Sequence, residues 1–476
     1  MPLSSSQGDL FRLLAEAQQH LDAGFAHLPP NPAAPLGEEA AAILQQAAEK
    51  LHDNYPYAHP LYAGQMLKPP HAIARAAYAL AMSVNPNNHA LDGGRASSAM
   101  EIEAVAALAA MFGWPEHLGH LTSGGTFANL EALWVAGQLG RTAEGKPRAI
   151  VASSQAHYTH RRISRVLGLP FIEVPADASG RMNLLALEHL LNTGEIGTVV
   201  VTLGTTAIGS VDPLDQILKL RQRHDFRIHV DAAYGGYFML AANLAPEVRA
   251  AYDAIPQADS LVIDPHKHGL QPYGCGCILF RDTAVGRLYK HDSPYTYFSS
   301  KELHLGEISL ECSRAGASAV ALWATQQLLP YTPGGEFARG LEAGRRAALE
   351  LHRRLAGDPR FLAPAVPPQL DIVFWAVDAP TPEASSVLAQ AVFDEAAHLD
   401  LHLALAKLPV SLFPQGSWKD AAFPEEDSSV TCLRSVLMKP EHLLWLDQIW
   451  QRLDQAALHV LRVNTPIEPL RITSAP

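Results

Sequence analysis

Apolar residues recur along this chain in two spacings. In MEIEAVAALAAMF, TFANLEALWVAGQL, HYTHRRISRVLG and LDQILKLRQRHDF they return with a helical period, which predicts helices there. Between these segments lie short apolar runs: AIVAS around Val151, TVVVTLG around Val200, RIHVDA ending near Asp231, SLVID ending at Asp264, and GCILF around Ile278. Runs of this kind suit strands covered on both faces. Their alternation with helices from about Asn85 to about Tyr331 predicts an α/β body with a mostly parallel sheet. Right-handed crossovers then gather the loops at one sheet edge, where a ligand is expected.

The pattern changes on either side of this body. Residues 1–84 alternate helical pattern with the Pro-rich break LPPNPAAPLG and continue to NYPYAHPLYAGQMLKPP, which predicts an N-terminal arm. The body takes 85–333. After YTPGG, near Gly334, a long helical pattern (EFARGLEAGRRAALELHRRL) precedes the apolar strands DIVFWAV, LHLALA and VTCLRSVLM. A helix followed by strands predicts a smaller α+β domain over 334–476.

Composition narrows the function classes. The 476 residues are 48% hydrophobic and 18% charged, a balance that suits packed domains. The net charge of −12 provides no basic stripe for phosphates, so nucleic acid is not an expected partner and small solutes are. MPLSSSQGDLFRLLAEAQQH lacks a positive segment followed by an apolar core, and no stretch reaches membrane-spanning length. A cytoplasmic protein without a membrane partner is expected. The four cysteines match neither a zinc set nor a disulfide framework, and Cys275-x-Cys277 reads as part of a buried strand. The pairs His157/His160 and His266/His268 lack carboxylate or thiolate companions at ligand spacing, so no metal is expected.

Chemistry concentrates in DSLVIDPHKHGLQPYGCGCILF. Lys267 sits at the mouth of a buried strand, where desolvation favours the neutral amine that attacks an aldehyde. Upstream, Asp231 ends the strand of RIHVDAAYGGYF, where a carboxylate can pair with a protonated pyridine nitrogen and keep the ring electron-withdrawing. Small residues after it, Ala233 above all, leave room for a flat ring. In LTSGGTFANLEALW, the run Ser123-Gly124-Gly125-Thr126 opens a helix, a phosphate cradle in type though neither a Walker nor a Rossmann motif. His157, in VASSQAHYTH, follows a strand end and can stack on a ring or position a reacting group. Thr205 and Thr206, in TLGTTAIGSVDP, offer hydroxyls after another strand.

Taken together and in order, TSGGTFANLEALW, SSQAHYTH, TLGTTAIGSVDP, HVDAAYGGYF and DPHKHGLQPYGCG resemble the group II amino-acid decarboxylases that depend on pyridoxal phosphate. The resemblance runs from about His59 to about Arg314. ECSRAGASAVALWA is similar to the segment that follows the mobile loop in bacterial and archaeal tyrosine or aspartate decarboxylases. The resemblance implies fold type I and pyridoxal 5'-phosphate as cofactor. It implies Lys267 as the Schiff-base lysine, Asp231 as the partner of the pyridinium nitrogen and His157 as the stacking imidazole. Gly124, Gly125, Thr126 and His266 would bind the phosphate end, with Thr205 and Ala233 along the ring.

Family members are homodimers with active sites at the interface, and in many a loop tyrosine from the neighbouring subunit protonates the carbanion. Here that loop is HDSPYTYFSSKELHLG, with Tyr295 favoured over Tyr297. HPLYAGQM and its continuation stand where family members contribute substrate-side residues, which makes Gln65 and Lys68 pocket candidates. The expected reaction is decarboxylation of an L-amino acid to the amine, with an aromatic substrate such as tyrosine first and aspartate or glutamate second. Another carbon–carbon lyase reaction, an aldehyde-forming decarboxylation and a cofactor-binding protein without turnover are the competing readings.

Overall fold

The computed structural model describes residues 4–30, 36–89, 91–290, 308–418 and 428–464. Its larger sheet has seven strands: β1 (Leu118–Thr122), β2 (Ala149–Ser153), β3 (Phe171–Val174), β4 (Ile196–Thr202), β5 (Arg227–Asp231), β6 (Ser260–Ile263) and β7 (Gly276–Phe280). Their spatial order is β1-β7-β6-β5-β4-β2-β3. Neighbours pair in parallel from β6 through to β3, and β7 runs against both β6 and β1. The other six strands therefore point the same way, and β1, β2, β4, β5 and β6 end at one edge. Val199, Val200 and Val201 in β4 are wholly buried, as a strand covered by helices on both faces requires.

β1 and β3 were not visible in the apolar pattern. β1 reads LGHLT and owes its place to Gly119, where a Cβ would come within 2.7 Å of the Ile278 carbonyl oxygen across the pair. β3 is an edge strand, and only Val174 in it is fully buried, so FIEV carries too little apolar contrast to stand out.

The smaller sheet contains β8 (Phe361–Leu362), β9 (Ile372–Val377), β10 (Ala404–Pro409) and β11 (Ser429–Val436) in the order β10-β11-β9-β8, with every pair antiparallel. The helices Glu336–Ala356, Pro382–His398 and His442–Asn464 cover it, burying Leu351, Trp375, Leu433 and Ile449 in one core. The segment 61–64 docks onto this sheet. Ala63 N–H donates to His402 O and Val436 N–H donates to Ala63 O, which carries Gln65 to the boundary between the two sheets. Among the described residues no helix is long and apolar enough to cross a membrane.

Candidate active site

At the shared strand edge lies a cavity of ≈ 440 Å³. Ser123 to Phe127 line it after β1, His157 and Thr159 after β2, and Thr202, Gly204 and Thr206 at the end of β4. Asp231, Ala233 and Tyr234 follow from β5, and Asp264, His266 and Lys267 from β6. Five strand ends thus bring together residues scattered over much of the chain, as expected of ligand sites in open α/β sheets.

The turn after β1 is shaped for an anion. Gly124 has φ +152°, a conformation that side chains disfavour. A Cβ on Gly125 would lie 2.7 Å from Asp264 Oδ2, so the backbone approaches that carboxylate only because the residue is glycine. Behind the turn runs the helix Gly125–Leu139, whose first N–H groups have no acceptor within the helix. Ser123 N–H is already committed, donating to Glu311 Oε2 at 3.1 Å.

Asp231 is clamped. His160 Nε2 lies 2.8 Å from its Oδ2, Ala233 N–H donates to Oδ1 at 3.1 Å, and Asn129 Nδ2 approaches Oδ2 at 3.5 Å. Asn129 Oδ1 is in turn 2.8 Å from His229 Nε2, and His229 Nδ1 is 2.9 Å from Ser260 Oγ. Burial alone would raise the Asp231 pKa, but the His160 hydrogen bond and charge, with Lys267, hold it well below the usual carboxylate range. Burial takes His229 down to about 3, so it is neutral and Asn129 Oδ1 accepts its single N–H. Asn129 therefore turns its amide donors toward Asp231 and toward Gly125 O, 2.9 Å away.

Lys267 departs from the expectation of a desolvated amine. Its side chain is 23% exposed and its Nζ lies 3.1 Å from Asp264 Oδ2, with His266 Nε2 3.6 Å from the same oxygen. Pairing, not burial, is the main feature of its surroundings. His157 Nδ1 accepts from Thr159 N–H at 3.3 Å, so its proton resides on Nε2. Burial lowers its pKa and keeps the ring neutral.

Other sequence candidates fall elsewhere. Thr205 does not line the cavity: its Oγ1 is 2.8 Å from Ser210 Oγ and its side chain is fully buried, while Thr206 stands at the wall. Gln65 and Lys68 also lie off the lining. Gln65 Oε1 accepts from Arg434 at 3.1 Å, and Lys68 Nζ donates to Met438 O at 3.4 Å. Tyr295 and Tyr297 lie outside the described residues. His157 and His160 do not converge on a shared point, nor do His266 and His268, whose partners are Cys275 N–H and Asp371. Among the described residues no group of three His, Cys, Asp or Glu is arranged to hold a metal ion. Asn129 and Arg434 escaped the sequence reading, and His160 entered it only as half of a histidine pair, without its bond to Asp231. His160 lies inside the HYTH motif already singled out, and its signal was a polar residue on the buried side of a short helix.

The arrangement fits pyridoxal phosphate. The glycine turn and helix N-terminus suit its phosphate, the clamped carboxylate suits a protonated ring nitrogen, and Lys267 supplies an amine. Two buried oxygens on the lining residues, Thr202 Oγ1 and Asp264 Oδ1, also have no partner among the described residues. Fold and cavity together define a pyridoxal-phosphate enzyme of fold type I.

Residues 27–377 match the family model described as the pyridoxal-dependent decarboxylase conserved domain, and the chain belongs to the group II pyridoxal-dependent decarboxylases. It is a carboxy-lyase. The L-tyrosine decarboxylase of Enterococcus faecium is 27% identical, over 80% of this chain and 81% of that one. A probable L-tyrosine/L-aspartate decarboxylase of Methanothermobacter thermautotrophicus is 31% identical over 55% of this chain and 69% of that one. The L-2,4-diaminobutyrate decarboxylase of Rhizobium meliloti is 32% identical over 52% and 50%. Among solved structures, Oryza sativa TDC with PLP and tryptamine superposes with a TM-score of 0.75 at 18% identity, covering 96% of this chain and 99% of that one. Mouse CSAD in apo form gives 0.74 at 22% identity, covering 93% and 92%. These two share the fold.

Proposed function

We propose that the protein removes the α-carboxylate of an L-amino acid as carbon dioxide and releases the amine, with Lys267 carrying the cofactor covalently. The observation that supports this reading best is the single cavity lined by Lys267, Asp231, His157 and the Gly124–Thr126 turn. Bound pyridoxal phosphate supplies an electron sink for the pair of electrons freed at Cα.

The chain's own residues do the rest. Asp231, kept anionic by His160, holds the proton on the ring nitrogen. Gly124, Gly125, Thr126 and His266 bind the phosphate, and Ala233 leaves space beside the ring. His157 stacks against the ring and presents Nε2–H to the substrate. Asp264 Oδ2, 3.1 Å from Lys267 Nζ, would hold that nitrogen in place where it joins the cofactor. Tyr295, or Tyr297 in second place, returns a proton to Cα from the partner subunit of a homodimer with active sites at its interface. The enzyme works in the cytoplasm.

Tyrosine is the preferred substrate in this reading, supported by the names of the tyrosine decarboxylase relatives. An acidic substrate comes second, and Arg434 favours it. This buried guanidinium donates to Thr206 O at 2.6 Å, Ala207 O at 2.7 Å and Gln65 Oε1 at 3.1 Å, which puts a cation directly behind the cavity wall. Screening the twenty amino acids for carbon dioxide and amine release tests both readings. Tyrosine turnover is expected. Release from aspartate or glutamate alone would select the second, aldehyde in place of amine would change the product, and no release from the cofactor-loaded enzyme would overturn the proposal.

A further inference from the structure

His268 follows Lys267 directly but does not line the cavity. Its side chain and that of Asp371 are each 1% exposed. His268 Nδ1 lies 3.0 Å from Tyr234 O, and Nε2 lies 2.8 Å from Asp371 Oδ2. A carbonyl oxygen can only accept, so Nδ1 carries a proton. A carboxylate can only accept as well, and a neutral imidazole has one N–H to give. The pair must hold a second proton, either on Nε2 or on Oδ2.

The surroundings decide where it sits. Asp371 Oδ1 accepts from Tyr234 OH at 2.5 Å. Burial would raise the Asp371 pKa, but His268, the Tyr234 hydroxyl and the Lys68 charge together hold it below the usual carboxylate range. Burial, the larger influence, and the Lys68 charge push the His268 pKa down, while the Asp371 carboxylate and the Tyr234 carbonyl push it up; the geometry sides with the second pair, because both ring nitrogens face oxygens that only accept. Among the described residues Arg434, Tyr252 and His442 also lie within electrostatic reach, and Arg434 adds positive potential. A carboxylate whose other oxygen already accepts from a hydroxyl is a poor site for the proton, which leaves Nε2.

We propose that His268 is a positioning residue for Lys267, held as an imidazolium between Asp371 and Tyr234 so that a buried ion pair locks the lysine's turn onto the small domain. Asp371 immediately precedes β9, and Leu437 N–H donates to its carbonyl at 2.8 Å, so this carboxylate is fixed to the smaller sheet. Tyr234 follows Ala233 at the cavity, so one ion pair fixes both the residue after Lys267 and the residue after Ala233. The His268 ring also meets Tyr234 and Phe238 edge-on, at centroid distances of 4.6 and 5.2 Å, which leaves it little freedom to turn.

The inference rests on Lys267 as the attachment lysine, and the tests separate the two. Neutron diffraction from deuterated crystals of the holoenzyme is expected to show deuterons on both His268 nitrogens. A deuteron on Asp371 Oδ2, or a bare Nε2, would overturn the assignment. Asp371→Asn removes the carboxylate and with it the acceptor that holds the second proton on His268. The pH midpoint of the bound cofactor's visible band is then expected to shift by about half a pH unit, because a cation and an anion at different distances from the cofactor are lost together. Looser packing alone would lower thermal stability and leave that midpoint in place, and an unchanged midpoint would sink the positioning role. If Asp371→Asn does not fold, Tyr234→Phe weakens the carboxylate as an anion and is expected to shift the midpoint the same way, with no shift again counting against the proposal. Borohydride labelling of each variant reports on the other reading, since a label away from Lys267 would overturn the attachment and not the ion pair.

Discussion

His160 Nε2 and Asp231 Oδ2 lie 2.8 Å apart, and neither side chain is more than 7% exposed. The histidine is what allows a carboxylate to remain ionised at the base of the cavity, because a buried charge without a partner is strongly disfavoured. In His160→Ala, Asp231 keeps only the Ala233 N–H and the distant Asn129 amide. The apoenzyme is expected to lose about 3 kcal/mol of unfolding free energy in denaturant titrations. The Asp231 pKa is depressed by folding, so its contribution is present above the unfolded value of roughly 4 and fades as pH falls through the folded value. His160→Ala should therefore also flatten the acid limb of stability against pH.

Reduction with borohydride should fix the cofactor to one lysine. The expected result is a pyridoxyl group on Lys267 by peptide mapping and no visible cofactor band in Lys267→Ala. Labelling of another lysine in the wild type would count against the whole assignment of the site.

Gly125→Ala tests the cradle by a steric route. Its Cβ would come 2.7 Å from Asp264 Oδ2, and that carboxylate is also the partner of Lys267. Overpacking of this kind costs about 1–3 kcal/mol. A lower melting temperature together with weaker cofactor retention is expected, whereas a wild-type profile in both would show that the turn has room to move.

Much of this was legible in the sequence because it is local. Asp231 ends a strand and Lys267 and His157 follow one with little sequence between, so the apolar run that marks the strand also marks the site residue, while Gly124–Thr126 is marked by the helix it opens. The smaller sheet's β9, β10 and β11 were readable as DIVFWAV, LHLALA and VTCLRSVLM for the same reason. What could not be read depends on distant partners. His160 meets Asp231 across 71 positions, His268 meets Asp371 across 103, and Arg434 meets Thr206 across 228. Thr205 and Thr206 are adjacent, and only the bond from Thr205 to Ser210 decides which of the two faces the cavity.

Lys439 gives the clearest pH dependence on the alkaline side. Its ammonium is buried, donates to Tyr62 O at 2.6 Å, and burial with the neighbouring Lys68 charge takes its pKa down to about 7. Between that value and the unfolded value of roughly 10.4, the unfolded chain binds more protons than the folded one, so this group makes stability rise with pH. Denaturation followed from pH 7 to pH 10 should show Lys439→Met with a flatter slope than the wild type. The variant should also be less penalised at neutral pH, since no lysine has to be desolvated. An identical slope in the two proteins would mean that the folded lysine keeps its proton throughout.

The last test concerns the tyrosines of HDSPYTYFSSKELHLG, since loss of carbon dioxide leaves an electron pair at Cα that has to receive a proton before the amine can leave. If Tyr295 supplies that proton, Tyr295→Phe preserves the ring and removes the donor, so carbon dioxide release continues while amine formation falls. Oxygen and water can then intercept the unprotonated substrate, giving aldehyde, ammonia and hydrogen peroxide in place of amine. Tyr297→Phe changes the same segment with the same loss of a hydroxyl and serves as the internal comparison. A donor from the partner subunit adds a second expectation. Mixing Tyr295→Phe chains with Lys267→Ala chains should restore activity in heterodimers, because one of the two sites then receives an intact Lys267 from one chain and an intact Tyr295 from the other. Activity that does not return on mixing would assign the tyrosine to its own subunit, and full amine yield from Tyr295→Phe without aldehyde would move the protonation step to Tyr297 or to His157 Nε2.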